Sequence, residues 1–372
     1  MTAISVPAHP GDVTAEWLTE VLHRSGALPA DSTVAAVALE SLPGAGVDDT
    51  TGEVARLRVT YAGDRGSAPA SVIVKSPSRS AERRERAVDR GMYEAEVRFL
   101  RELDAQTPVR TPRVFLAEVS AGGAEFVVVM EDLGHLVMGD ELEGVDLDQA
   151  ADAVVAMADL HASWWGRVDT PEMAWVPSIV HPRDTELTEM WPALWLGFRS
   201  KFGESLPDGA EAAGAAIAAH YWRVIEHLAR WPWTLLHQDY RVDNLFFDAA
   251  NRDEPVVVID WQGIGRGPGI YDLCHFLGGS LTVADRRRGE RSLVETYLGR
   301  LESHGIEGLD ADHLWHDYRF GHLACCAAVM IAGATSEIGE PRGRTLIETL
   351  ASRHFQAVVD LASTALLDEL DG

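Results

Sequence analysis

The sequence predicts an α+β protein of two lobes, a small strand-rich lobe followed by a larger helical one. Three observations carry this. Within the first third, apolar residues alternate with period two: from Glu53 to Tyr61, Ala55, Leu57, Val59 and Tyr61 share one face, and Arg56, Arg58 and Thr60 the other. From about residue 146 the spacing becomes helical, and a single short hairpin near residue 245 interrupts it. Strands first and helices afterwards argue against a doubly wound sheet, where the two alternate. The expected division is residues 1–132 and 133–372.

Taken in order, residues 12–25 read as a first helix. Thr14 can cap it, Trp17, Leu18, Val21 and Leu22 form an apolar stripe, and Gly26 ends it. After the strand 53–61 come strands at Ser71–Lys75 and Glu125–Met130, with a helix over Met92–Leu103 between them. Asp146 or Asp148 can cap a helix in which Val154, Ala158, His161 and Trp165 share a face. Residues 184–231 read as further helices rich in Trp and Ala, 245–260 as a hairpin, and the rest as helices.

Composition bounds the function. With 46% hydrophobic and 24% charged residues, the 372-residue chain reads as a soluble globular protein. The longest apolar stretch, Leu323 to Ala334, is too short for a membrane span and reads as a buried helix. No signal peptide is expected, because the N-terminus lacks a basic region followed by an apolar one. Three cysteines, Cys274, Cys325 and Cys326, imply no disulfide framework and suit a reducing, cytoplasmic setting. A net charge of −26 speaks against a nucleic-acid partner and fits a solvated surface, or attraction of a cationic substrate or a metal.

The strongest signal is His237-Gln-Asp239-Tyr-Arg-Val-Asp-Asn244-Leu-Phe-Phe, followed by Val256-Val-Val-Ile-Asp260-Trp-Gln. Leu245–Phe247 and Val256–Ile259 are short apolar runs separated by polar residues and a proline, so they should pair as an antiparallel hairpin. Asn244 and Asp260 then fall at the same open end, and Asp239 in the loop entering it. Such oxygen donors suit a hard cation like Mg²⁺, which takes one or two carboxylates plus water and phosphate oxygens. A third group outside the metal shell can act as base, the division of labour in phosphoryl transfer.

This segment resembles the catalytic loop of the aminoglycoside phosphotransferase and choline kinase superfamily, most closely its ecdysteroid-kinase-like bacterial branch. The resemblance implies a protein-kinase-like fold. It also implies transfer of the γ-phosphoryl group of ATP or GTP, with Mg²⁺, to a hydroxyl of a small-molecule metabolite or antibiotic. Asp239 would be the catalytic base, Asn244 and Asp260 the Mg²⁺ ligands, and His237 a loop-orienting residue. Asp260-Trp-Gln departs from the Asp-Phe-Gly of protein kinases, which argues against protein substrates.

Other segments fit the resemblance. Lys75 ends an apolar strand and would pair with Glu96 on the following helix to hold nucleotide phosphates. Glu94 is the competitor, since the two glutamates lie on different helix faces. Gly44 and Gly46 lie where a phosphate-covering loop belongs, although a plain hairpin turn would read the same. Glu131 and Leu133 lie in a strand-to-linker segment whose backbone would meet the adenine. The run Gly263 to Gly269 does not fit a dinucleotide-binding fingerprint, and leads instead to Asp272, which would brace the catalytic loop. His161 reads as a core histidine. Trp191, Trp195, Trp222, Trp231 and Trp233 read as core, or as a wall of the acceptor pocket. The competing function is a nucleotide-binding pseudokinase with a regulatory role, disfavoured because Lys75, Asp239, Asn244 and Asp260 are all present.

Overall fold

In the computed structural model, which describes residues 4–42, 51–179, 190–335 and 341–371, Thr14 opens helix α1 (Ala15–Arg24) by accepting the Trp17 N–H at 3.2 Å. The chain divides into two units. The first comprises the residues up to Thr107, Thr111–Leu136 and the returning segment Ile259–Gly263; the second comprises Pro108–Arg110, Val137–Val258 and the residues from Ile264 onward.

The first unit is built on an antiparallel sheet of β1 (Thr33–Ser41), β2 (Gly52–Ala62), β3 (Ser71–Pro77), β4 (Val114–Val119) and β5 (Phe126–Glu131), in the order β1-β2-β3-β5-β4. The three strands expected from the sequence are β2, β3 and β5. The two edge strands lacked a signal. Val34 is the one buried residue the alternation of β1 supplies, and both edges are interrupted by a register shift, at Val34/Ala36 and Val114/Leu116. Val72 and Val74 pack with Val127, Val129 and the α1 residues Leu18, Val21 and Leu22. Phe126 and Val128 pack on the other face with Ala87, Tyr93 and Val97. These come from α2 (Ala81–Asp89) and α3 (Met92–Arg98), the latter continuing as a π-helical segment to Leu103. Lys75 follows Val74 and pairs across the sheet with Val128, so strand alternation turns it toward α3.

In the second unit, Asp146 rather than Asp148 caps α4 (Leu147–Trp164), accepting the Gln149 N–H at 2.8 Å. Val154, Ala158, His161 and Trp164 are buried on it, whereas Trp165 lies past its last turn. Strand β6 (Val137–Met138) precedes α4, and the chain continues after that helix through α5 (Trp191–Phe202), α6 (Ala210–Leu228), β7 (Trp233–Leu236), β8 (Leu245–Phe247), β9 (Val256–Val258) and β10 (Gly265–Pro268). It ends in α7 (Ile270–Gly279), α8 (Val283–Ser303), α9 (Ala311–Thr335), α10 (Pro341–Asp360) and a 3₁₀ segment at Ser363–Asp371. The β7–β10 pair was not foreseen, because glycines supply half of β10. Trp191 and Trp195 are core, Trp195 lying against Phe198 and Phe355. Cys274, Cys325 and Cys326 are buried free thiols, and burial pushes each well above the ordinary thiol range. Among the described residues, no helix is long and apolar enough to cross a membrane.

Candidate active site

Lys75 is the centre of the site in the first unit. Its Nζ lies 2.8 Å from Glu96 Oε2 and 2.7 Å from Asp260 Oδ1. Glu94 is exposed and pairs with Arg98 instead, so the choice between the two helix glutamates falls to Glu96. Burial would strip the proton from Lys75, but the charges of Asp260 and Glu96 outweigh it and hold the ammonium well above the ordinary lysine range. Burial, aided by Asp260 and opposed by Lys75, raises Glu96. Asp260 sits in a left-handed conformation, φ 64°, and its Oδ2 accepts Gln262 Nε2 at 3.2 Å. Trp261 anchors this returning segment by stacking on Phe99 at 3.8 Å. Gly52 closes over the lysine: a Cβ there would come within 2.9 Å of the Ser76 carbonyl.

In the second unit, the loop 237–244 is held by its own side chains. Asn244 Nδ2 donates to the Asp239 carbonyl at 2.9 Å and to Asp239 Oδ2 at 3.0 Å. With both amide hydrogens directed at Asp239, the Asn244 oxygen is the atom left for a cation. Arg241 Nε lies 3.1 Å from Asp239 Oδ1, and its Nη1 lies 3.0 Å from Asp243 Oδ2. Burial would raise the Asp239 carboxyl, but Arg241, His275, His237 and the Asn244 amide together keep it below the ordinary aspartate range. Arg241 was missed in the sequence. The alternation Asp239, Arg241, Asp243 is the signal that could have revealed it.

Asp272, at the start of α7, accepts the backbone N–H of His237 at 2.7 Å and of Gln238 at 3.0 Å. This tie lets Gln238 hold a left-handed φ of 64°. His237 is buried, with its ring edge-on to Tyr240. The glycine run has a packing explanation: a Cβ on Gly265 would meet Gln238 Nε2 at 1.5 Å, and one on Gly269 would meet the Tyr297 hydroxyl at 2.5 Å. His161 is a satisfied core histidine, bonding the Tyr297 hydroxyl through Nδ1 at 2.8 Å.

A second support escaped the sequence reading. Glu141 is buried, accepting Val242 N–H at 3.1 Å and Ser280 Oγ at 3.0 Å, while its own N–H donates to Asp243 Oδ1 at 2.7 Å. Burial pushes its carboxyl up to about 7, against the pull of Arg241. Arg353 from α10 donates to the carbonyls of Glu141 and Gly279 at 2.6 and 2.8 Å, fixing this stretch to the C-terminal end of α7. Nothing in the local sequence around Glu141 marks it, because its partners lie about 100 residues away or more.

The hairpin forms as expected, with Leu245 opposite Val258 and Phe247 opposite Val256. Asn244 immediately precedes β8 and belongs to the second unit, whereas Asp260 follows β9 by two residues and belongs to the first. Glu131 ends β5, its carboxylate accepting Arg113 N–H at 3.1 Å. It lines an open concavity of about 620 Å³ in the first unit, with Arg101, Thr111 and Phe115, which contains none of Lys75, Glu96 and Asp260. Leu133 is buried beside Asp132, which clamps Arg56 through two bonds of 2.7 and 3.0 Å. Gly44 and Gly46 lie outside the described residues.

Comparisons with known proteins agree with this architecture. No curated protein sequence matches the chain. Among solved structures, a microcompartment-associated aminopropanol kinase is similar with a TM-score of 0.53 and 17% identity, covering 94% of this chain and 98% of that one. The GDP and kanamycin complex of APH(2")-IIia gives a TM-score of 0.53 and 15% identity, with the same coverage. Wild-type aminoglycoside 2'-phosphotransferase-IIIa in complex with GDP gives 0.51 and 16%, covering 90% of this chain and 97% of that one. At these identities the likeness shows the fold, which is α+β and protein-kinase-like. The sequence profile of the phosphotransferase enzyme family matches residues 55–311, from β2 to the start of α9. With more than half of its length matched, the chain belongs to the phosphotransferase enzyme family.

Proposed function

We propose that the protein is a small-molecule kinase that transfers the γ-phosphoryl group of ATP or GTP to a hydroxyl of a metabolite or antibiotic. The observation that carries this is the buried Lys75 ammonium held between Glu96 and Asp260. Lys75 binds the nucleotide phosphates, and Glu96 fixes its position. The backbone around Glu131 and Leu133 receives the adenine.

The nucleotide enters as its Mg²⁺ complex. The Asn244 amide oxygen and the Asp260 carboxylate are an all-oxygen donor set, which fits a hard divalent ion. The reading requires both to reach the same cation. When bound, the ion supplies neutralisation of charge on the transferring phosphoryl group. Asp239 accepts the hydrogen bond of the acceptor hydroxyl and orients it. Because Arg241 and its other partners keep this carboxylate ionised, it acts first by positioning and takes the proton as the new bond forms. His237 and Asp272 hold the loop in place for it.

The test is nucleotide turnover by the purified chain, with ATP and GTP separately, against a library of hydroxyl compounds, with phosphorylated product identified by mass spectrometry. Asp239→Asn should lower kcat by roughly 10²–10⁴-fold with the fold intact, since a positioned base contributes about that much. A protein that binds nucleotide but turns over none with any acceptor is a regulatory module, and the proposal fails.

A further inference from the structure

Outside the catalytic loop, the second unit gathers imidazoles around one buried carboxylate. Asp317 on α9 is fully buried. His227 Nε2, from α6, lies 3.2 Å from Asp317 Oδ1, and His316 Nδ1 lies 3.1 Å from the same oxygen. Asp317 Oδ2 accepts no hydrogen bond among the described residues, although His313 Nε2 stands 3.5 Å from it. His313 and Asp317 are four residues apart on α9 and therefore share a face. Phe320 steadies two of the rings, stacking with His227 at 4.2 Å and lying 5.3 Å from His316.

The tautomer of His316 makes this cluster informative. Its Nε2 lies 2.9 Å from Glu369 Oε2. An ionised carboxylate only accepts, so Nε2 carries the hydrogen. In a neutral ring Nδ1 is then a lone pair, and it faces the Asp317 oxygen, a second acceptor. A cation between the two resolves the conflict: either an extra proton on the ring or a metal ion.

The surroundings favour the metal. Two imidazoles and a carboxylate, with room for water, form the nitrogen and oxygen donor set of zinc and similar ions, and a carboxylate on the far nitrogen of a ligating histidine is the usual outer partner. Metal–ligand bonds of about 2.0–2.1 Å place neighbouring ligands of a tetrahedron about 3.3–3.4 Å apart. The two contacts to Asp317 Oδ1 measure 3.1 and 3.2 Å. His227, His316 and Asp317 offer donor atoms all within 4.8 Å of one another. The two imidazoles are 20% and 28% exposed at positions 227 and 316, so an ion can reach them. We propose that His227, His316 and Asp317 bind zinc or a comparable divalent transition metal, with water completing its shell and Glu369 orienting His316. This site joins α6, α9 and the C-terminal 3₁₀ segment, and it stands independently of the kinase reading.

The full chain, stripped with a chelator, is titrated with Co²⁺ and followed by visible absorption. The d–d bands of four-coordinate Co²⁺ should appear and be bleached by stoichiometric Zn²⁺. His316→Gln and His227→Gln, at partly exposed positions, should each abolish the bands, while His220→Gln on α6 leaves them unchanged. Glu369→Gln should keep them but weaken Co²⁺ binding by roughly 10–100-fold, the usual cost of losing an outer partner. Zn²⁺ should raise the thermal unfolding midpoint of the unsubstituted chain but not of His316→Gln. No bands in the unsubstituted chain, or bands that survive in His316→Gln, would overturn the proposal and leave His316 as a protonated partner of Asp317.

Discussion

Lys75 and Asp260 are bonded directly, Nζ to Oδ1 at 2.7 Å, although 185 positions separate them in the chain. The carboxylate assigned to a cation is therefore already held by one. Replacing Lys75 with Met leaves Glu96 and Asp260 facing each other with no positive charge between them. Breaking a buried pair in this way costs about 3–5 kcal/mol, so urea unfolding of Lys75→Met should show a loss of that order. Nucleotide turnover should fall with it. Lys75→Arg should recover part of the stability and little of the turnover, because a planar guanidinium does not replace a compact ammonium. Wild-type stability in Lys75→Met would mean that the triad contributes nothing to the fold.

Asp272 satisfies two adjacent backbone donors, those of His237 and Gln238. Asp272→Ala orphans both in a buried place, at about 1–3 kcal/mol each. The left-handed turn at Gln238 loses its tie, so Asp239 should lose its aim. The expected kinetic signature is a fall in kcat with little change in the KM for nucleotide. A fall in kcat no larger than the unfolded fraction measured by circular dichroism would point to general unfolding instead.

Glu141 makes stability depend on pH in a stated direction. Its carboxyl moves from 4.5 to about 7 on folding because burial penalises the charged form. The folded state thus holds this proton more tightly than the unfolded chain. The group favours the fold most at low pH, and that contribution declines as pH rises from about 4.5 through 7. The full swing is at most roughly 3 kcal/mol, from 1.36 kcal/mol per pKa unit. Glu141→Gln should flatten it: the thermal midpoint should fall less between pH 5 and pH 8 than in the unsubstituted chain. Identical slopes would remove Glu141 as the source.

Much of the loop 237–244 was legible in the sequence because its logic is local. Asp239, Asn244 and the two apolar runs of the hairpin lie within 22 residues, and strand pairing needs only short-range pattern. Lys75 and Glu96 were legible by resemblance, a lysine late in an apolar strand and a glutamate on a following helix, and strand alternation turns Lys75 toward that helix. Glu96 was favoured over Glu94 by its place before the Val-Arg-Phe-Leu run, and the coordinates agree: Glu96 bonds Lys75 while Glu94 pairs with Arg98. What escaped was non-local or weakly patterned. Glu141, Ser280 and Arg353 meet through a fold that no window of sequence spans. Edge strands β1 and β4 carry few buried residues and a register shift each, so the period-two signal failed there. The short charged helix α2 buries only Ala87 and has almost no apolar face to reveal it.

All three cysteines reside in the second unit, sealed within α7 and α9 and suppressed as thiolates by their surroundings. The first unit contains none. A membrane-permeant or soluble alkylating reagent therefore reads the opening of one unit while remaining blind to the other. Its reaction rate in native buffer becomes a clock for exposure of the helical core, with no label to be engineered. A nucleotide that protected these sulfurs would show that its binding is felt inside the helical core.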